Sequence, residues 1–322
     1  MTLPLITLEE AFLSKAARDA LPEFYGGFVG GLGVNEKLQD TSTLRLESMD
    51  RNGISLQILS HVPGVLPPDV CRAANDEALE AVSARPDRLT AFADLPVADP
   101  EACVAELRRC VVELGFVGAL IDNRAGATYY DGEPYMALWK TAEELDVPVY
   151  LHPTLPSEAQ MQGSYTGNFD QMAATCIGAY AWGWHSDVAV HVLRLYAAGV
   201  FDRFPKLKII LGHYGEMLPF MLDRVDMVAA RWGKRRRFRE VYDQNIWITT
   251  SGVWSIDPMA TIIRNTKIDH ILFSVDYPFG KNEDGVKFVQ DLEKSGFVTP
   301  QQLRQVAFEN AESLLKVRAA RS

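Results

Sequence analysis

The sequence predicts an α/β fold, a (β/α)8 barrel in one domain spanning residues 1–322 with an insertion at about 153–186. Three observations predict it. Eight short apolar runs alternate with amphipathic helical stretches along the chain. Most of the runs are continuously apolar rather than alternating, as in parallel strands covered by helices. No GxGxxG follows the first run, which weakens the competing doubly wound open sheet. A chain of 322 residues has the length for one such barrel.

In order, the strands are expected at 3–8 (LPLITL), 54–60 (ISLQILS), 89–95 (LTAFADL), 116–121 (FVGALI), 147–152 (VPVYLH), 207–212 (LKIILG), 245–250 (NIWITT) and 270–275 (HILFSV). Between them, helix ends are legible. Ser42 opens a helix that Gly53 ends. Asp99-Pro100 supplies an N-cap with proline in the first turn, and Gly115 closes that helix. Thr299-Pro300 starts the last one. The run 153–186 is too long for an ordinary βα loop, and loops of that length are usually functional lids or subunit contacts.

With 32 basic and 42 acidic residues the net charge is −10, which argues against nucleic acid or an anionic membrane as partner. The basic run Lys234–Arg239 is expected to be a solvated helix end. Four cysteines, Cys71, Cys103, Cys110 and Cys176, show no CxxC pairing, so free thiols and a cytoplasmic setting are expected. The N-terminus has no basic segment before its apolar stretch, which Glu9 cuts short, so no secretory signal is expected. No run is long enough to span a bilayer.

In a barrel, chemistry gathers where the strands end at the C-terminal face. The polar residues at these ends are Glu9, Ser60-His61, Asp122-Asn123-Arg124, His152, His213, Thr250-Ser251 and Asp276. Three of the chain's six histidines stand there or beside it. Glu, His and Asp converging on one mouth offer imidazole and carboxylate to a divalent cation, which would also let a carboxylate beside a buried strand stay charged. His185, His191 and His270 are set aside: His191 reads as a helix-face residue, and His270 begins a strand at the other end of the barrel.

The stretches "LEEAF", "YLHP", "GVFDRFPKLKIILGHYGE", "NIWITTSG" and "ILFSVDYPF" resemble the decarboxylases of the amidohydrolase superfamily, those acting on 2,3-dihydroxybenzoate, salicylate and γ-resorcylate above all. The resemblance runs from about residue 5 to 317. It implies a distorted barrel, one divalent metal ion (Mg2+, Mn2+ or Zn2+) and reversible, non-oxidative loss of CO2 from an ortho-hydroxybenzoate. It also implies a homodimer or homotetramer.

Carried over by position, Glu9, His152 and Asp276 match the metal ligands, His213 and Glu216 a catalytic pair beside them, and Arg224 an arginine that meets the substrate. Asp276 is the expected proton donor. Phe24, Tyr25, Ser60 and Phe279 are expected around the substrate. Many relatives carry Glu-x-His after strand 1, whereas Ala11 stands here, leaving an oxygen-rich set that favours Mg2+ or Mn2+. Glu10, Glu9's neighbour, is expected to make a structural contact. A mononuclear hydrolase of a lactone or amide is the alternative, and a non-catalytic barrel a more distant one.

Overall fold

The computed structural model describes residues 3–29 and 33–320. Its strands are β1 (Leu5–Phe12), β2 (Ile54–His61), β3 (Leu89–Ala91), β4 (Ala119–Asp122), β5 (Pro148–His152), β6 (Lys208–Leu211), β7 (Ile246–Thr249) and β8 (Ile271–Leu272). Each pairs in parallel with the next, in a three-stranded sheet β1-β2-β3 and a five-stranded sheet β4-β5-β6-β7-β8. Two seams join the sheets into a barrel. At one, Ala93 bridges Ala119, with Ala93 N donating to Gly118 O at 2.9 Å. At the other, Ala11 N donates to Tyr277 O at 2.6 Å. All eight expected strands are present, although β1 runs on to Phe12 and β8 is only two residues long.

The β8–β1 seam has little backbone ladder, and a buried carboxylate takes its place. Glu10 accepts from Val275 N at 3.2 Å, Tyr277 N at 3.0 Å and Ser274 Oγ at 3.2 Å. Ser274 Oγ in turn accepts from Leu8 N at 3.2 Å. Arg45 stands behind it, fully buried, donating to Ala11 O at 2.6 Å and lying over the Tyr277 ring. Burial pushes the Glu10 carboxyl up to about 7, against the pull of those donors and of Arg45. The structural contact expected of Glu10 is therefore this seam.

Apolar residues of all eight strands belong to one buried cluster, including Ile58, Ile121, Val149, Ile209, Ile248 and Ile271. Every residue of β1 and β4 is buried, as parallel strands under helices require. The helix caps follow the sequence with one change. Asp99 accepts from Glu101 N and Ala102 N, and Thr299 forms a capping box with Gln302. Ser42, however, makes no side-chain cap. Asp40 Oδ1 does that work, accepting from Ser42 N and Leu44 N at 3.0 Å. Gly53 closes the helix at φ 65°, the left-handed conformation that favours glycine.

The basic run is not a merely solvated helix end. Arg236 donates to Phe201 O, Arg237 pairs with Asp226, and Arg239 donates to Asn265 O and pairs with Asp243. Cys71, Cys103 and Cys110 are buried and Cys176 exposed, all unbridged. No helix among the described residues is long and apolar enough to cross a membrane. The insertion carries the helix Gln171–Gly178, and its last residues turn back over the barrel mouth into the helix Gly183–Ala197.

Candidate active site

The floor of the site begins with an irregularity in β1. Pairing with β2 passes from Thr7–Gln57 to Glu10–Leu59, so β1 holds one extra residue there. Glu9 takes the positive φ of 63° that the bulge creates. Its Oε2 accepts a short hydrogen bond from the Tyr150 hydroxyl on β5. Its Oε1 is buried with no hydrogen-bond partner among the described residues, 3.2 Å from His152 Nε2.

His152 Nδ1 lies 2.8 Å from Pro153 O, which can only accept, so Nδ1 carries the hydrogen. Nε2 is then the ring nitrogen turned toward the carboxylate oxygen. That arrangement calls for a positive centre between them, either a proton or a metal ion. Burial alone would raise the Glu9 carboxyl, but His213 and His152 outweigh it and hold it well below the ordinary carboxylate range.

On the next strand round, β6 ends in a tight left-handed turn. His213, Tyr214, Gly215 and Glu216 all have positive φ. The turn brings His213 Nδ1 to 2.8 Å from Glu216 Oε1, and the other oxygen, Oε2, lies 2.7 Å from His185 Nδ1. Burial would raise Glu216 and depress His213. The two rings instead keep Glu216 low, while Glu216 and Glu9 lift His213 to about 10.

His185, His213 and Glu216 bring potential ligand atoms within 4.8 Å of one another. Both Glu216 oxygens already accept from a ring N–H, so a cation there would displace two charge-assisted hydrogen bonds. The Glu9–His152 pair, with its orphaned oxygen, fits a metal ion better.

Asp276 follows β8 at φ 69° and faces the same space. Burial, then Glu9, push its carboxyl well above the usual range. Gly252, itself at φ 65°, keeps the approach open: a Cβ there would lie 2.9 Å from His213 Cδ2 and 3.8 Å from Asp276 Oδ2. Among the described residues, six of the eight non-glycine residues with positive φ, Glu9, His213, Tyr214, Glu216, Met217 and Asp276, belong to this site. Such conformations cost about 1–3 kcal/mol each and gather where function holds them in place.

Above the floor opens a cavity of about 650 Å3, which His152, His213 and Asp276 enter from below. Trp182, Trp184, Trp254 and Phe279 wall it. It is an apolar slot over a polar base, the form of a small-molecule site.

Of the residues singled out from sequence, the structure gathers Glu9, His152, His213, Glu216, Asp276 and Phe279 here. Four others it places elsewhere. Arg224 is exposed on the helix Leu218–Ala229, whose inward side is Leu218 and Leu222, and it does not reach the cavity within this chain. Tyr25 is buried in a small apolar cluster with Leu13, Val62 and Cys71. Phe24 is half exposed and meets Tyr25 edge to face. Ser60 is buried within β2 opposite Ala11. The reading of the sequence missed Tyr150, Trp184 and His185. The aromatic run "AYAWGWHS" at the end of the insertion was the signal for the last two.

A parallel barrel whose C-terminal mouth holds carboxylate and imidazole from separate strands defines the class. Residues 35–317 match the family model described as amidohydrolase, and the chain belongs to that family. Among its relatives, it is 50% identical to the decarboxylase orsB of Emericella nidulans, over 98% of each chain. It is 40% identical to the gamma-resorcylate decarboxylase of Rhizobium sp. (strain MTP-10005), over 85% of this chain and 88% of that one.

Among solved structures, 2,6-dihydroxybenzoate decarboxylase complexed with 2,6-dihydroxybenzoate superposes with a TM-score of 0.85 at 34% identity, covering 98% of this chain and all of that one. The dihydroxybenzoic acid decarboxylase of Polaromonas sp. JS666, with bound manganese and the inhibitor 2-nitroresorcinol, gives 0.87 at 32% identity, covering 99% of this chain and 98% of that one.

Proposed function

We propose that this protein is a carboxy-lyase that removes CO2, reversibly and without oxidation, from an ortho-hydroxybenzoate such as 2,3- or 2,6-dihydroxybenzoate. The observation that carries the reading is the buried, unpartnered Glu9 Oε1 facing His152 Nε2 beneath an aromatic-walled cavity. Relatives named as decarboxylases of such acids support it.

Glu9, His152 and Asp276 would hold one divalent ion. When bound, that ion supplies positive charge for the carboxylate and phenolate oxygens of the substrate. The chain's own groups do the rest. Tyr150 orients Glu9 through its hydroxyl. The walls Trp182, Trp184, Trp254 and Phe279 hold the ring flat and keep water off it. Asp276 delivers a proton to the ring carbon that bears the carboxylate, while the ortho oxygen takes on carbonyl character. The bond to the carboxylate then breaks, its electron pair restores the aromatic ring, and CO2 leaves. His213, fixed by Glu216, steadies charge beside Asp276.

Phe220, Met221, Met227 and Val228 form an exposed apolar stripe around Arg224, and Phe169 and Met172 are exposed on the insertion. Such patches support self-association into a dimer or tetramer, which light scattering after size-exclusion chromatography measures. The unbridged thiols fit a cytoplasmic location.

The test is CO2 release from 2,3-dihydroxybenzoate, 2,6-dihydroxybenzoate, salicylate and a 4-hydroxybenzoate control, each with and without prior chelation. Release from ortho-hydroxy acids alone, abolished by chelation and restored by Mn2+ or Mg2+, is expected. Silence across the panel from a metal-loaded protein overturns the reading and favours a hydrolase of lactones or amides.

A further inference from the structure

We infer that His185 is a positioning residue for His213, acting through Glu216, and that Trp184 fixes the ring orientation that lets it do so. The hydrogen bonds form one chain. Trp184 Nε1–H donates to His185 Nε2 at 2.9 Å, His185 Nδ1–H donates to Glu216 Oε2 at 2.7 Å, and His213 Nδ1–H donates to Glu216 Oε1 at 2.8 Å.

An indole N–H has no acceptor capacity, so His185 Nε2 presents its lone pair and Nδ1 carries the hydrogen. Tyr180 O also lies 3.2 Å from His185 Nε2, a contact that would need a hydrogen on that nitrogen; the shorter indole contact opposes it. The Glu216 carboxylate is fully buried, and its hydrogen bonds go to these two rings. The rings themselves pack edge to face with centroids 4.5 Å apart.

Glu216 therefore holds His213 in place only while its second oxygen is occupied. Remove the His185 donor and Oε2 becomes a buried acceptor without a partner, a costly state that rotation toward His213 Nδ1 relieves. That rotation swings the His213 ring, which lines the cavity together with Asp276. Trp184 also walls the cavity. The wall and the catalytic pair are thus one hydrogen-bonded unit, and a change in the wall falls on turnover as well as on binding.

The kinetic part of the test rests on the decarboxylase reading; the spectroscopic part does not. His185→Leu lowers kcat about 10–100-fold, the usual cost of losing an outer orienting partner, with KM changed by no more than about threefold. His185→Asn places an amide N–H where Nδ1 stood and recovers most of that loss. Trp184→Phe keeps the wall, loses only the donor, and lowers kcat several-fold. With six histidines in the chain, 15N-histidine NMR resolves the rings individually. Wild type shows hydrogen on Nδ1 of both His185 and His213, and His185→Leu shifts the His213 signals.

Turnover within twofold of wild type in His185→Leu, with His213 signals unmoved, overturns the inference. So does an equal loss in His185→Asn and His185→Leu, which would mean that ring shape rather than the donor matters. If wild type releases no CO2 from any ortho-hydroxy acid, the decarboxylase reading fails and the NMR result alone decides the inference.

Discussion

Glu9 and Glu10 are neighbours on one strand, both buried, and their surroundings differ in every other respect. Glu10 meets a ring of donors at the β8–β1 seam, Val275 N, Tyr277 N and Ser274 Oγ, with Arg45 behind them. Glu9 sits across the bulge with one oxygen on Tyr150 and the other on nothing but the facing imidazole. A carboxylate with a full set of donors closes a barrel; one left short of a partner is kept for a ligand. The bulge at Glu9 produces the difference by sending successive side chains into different environments.

The largest expected effect lies on the Glu9 side. Glu9→Gln removes the charge with little change of shape, and should cut CO2 release by about 1,000-fold or more, several kcal/mol of lost charge stabilisation. Compared without metal, its thermal stability should match that of wild type, because the amide oxygen of the glutamine still accepts from the Tyr150 hydroxyl. A loss of folding in this variant would erase the contrast with Glu10.

Glu10→Gln is the converse. It puts an amide N–H2 where backbone N–H groups converge, leaving buried donors without acceptors. Denaturant unfolding should show a loss of about 3 kcal/mol. The folded fraction should keep its metal ion and most of its turnover. Unchanged stability would mean the seam is held by its single backbone bond and by packing.

Chelation sharpens the comparison further. Removing the ion should lower wild-type stability by about 3 kcal/mol at metal concentrations near a hundred times Kd, and leave Glu9→Gln unmoved. Differential scanning fluorimetry with and without Mn2+ reads both.

The smallest effect concerns pH and lies outside both carboxylates. His61 and His191 are buried and satisfied as neutral rings, His61 by Ser14 and Val62 O, His191 by Tyr130 N and Asn123. Burial depresses them to about 4 and about 3. Unfolded histidines titrate near 6.5, so the unfolded chain binds more protons below that pH. The stabilisation is complete above about 6.5 and is lost as pH falls toward 4. Each ring should contribute about 2 kcal/mol between pH 7 and 5. Denaturant melts across that range should slope accordingly, and His61→Gln should flatten the slope.

Much of this was legible in the sequence. Continuous apolar runs located all eight strands, and the first polar residue after a strand located Glu9, His152, His213 and Asp276. Strand ends are readable because the barrel forces chemistry to one face.

What failed was whatever depended on folding between elements. Arg224 lies in an apolar stripe of spacing 220, 221, 224, 227 and 228, and sequence does not say whether such a stripe faces the barrel or away from it. Tyr25 and Ser60 lie near the mouth in sequence terms, but Tyr25 packs into a small apolar cluster and Ser60 is buried within β2. His185, set aside on sequence, stands in the first turn of the helix Gly183–Ala197, which sets it on Glu216. No local pattern encodes that contact across 31 positions.

The most direct measurement is metal content per chain, by elemental analysis after loading with Mn2+ and removing excess, for wild type, Glu9→Gln and Glu10→Gln. One equivalent is expected in wild type and in folded Glu10→Gln, and a loss of nearly all of it in Glu9→Gln. A full equivalent retained by Glu9→Gln, or none taken up by wild type, would contradict it.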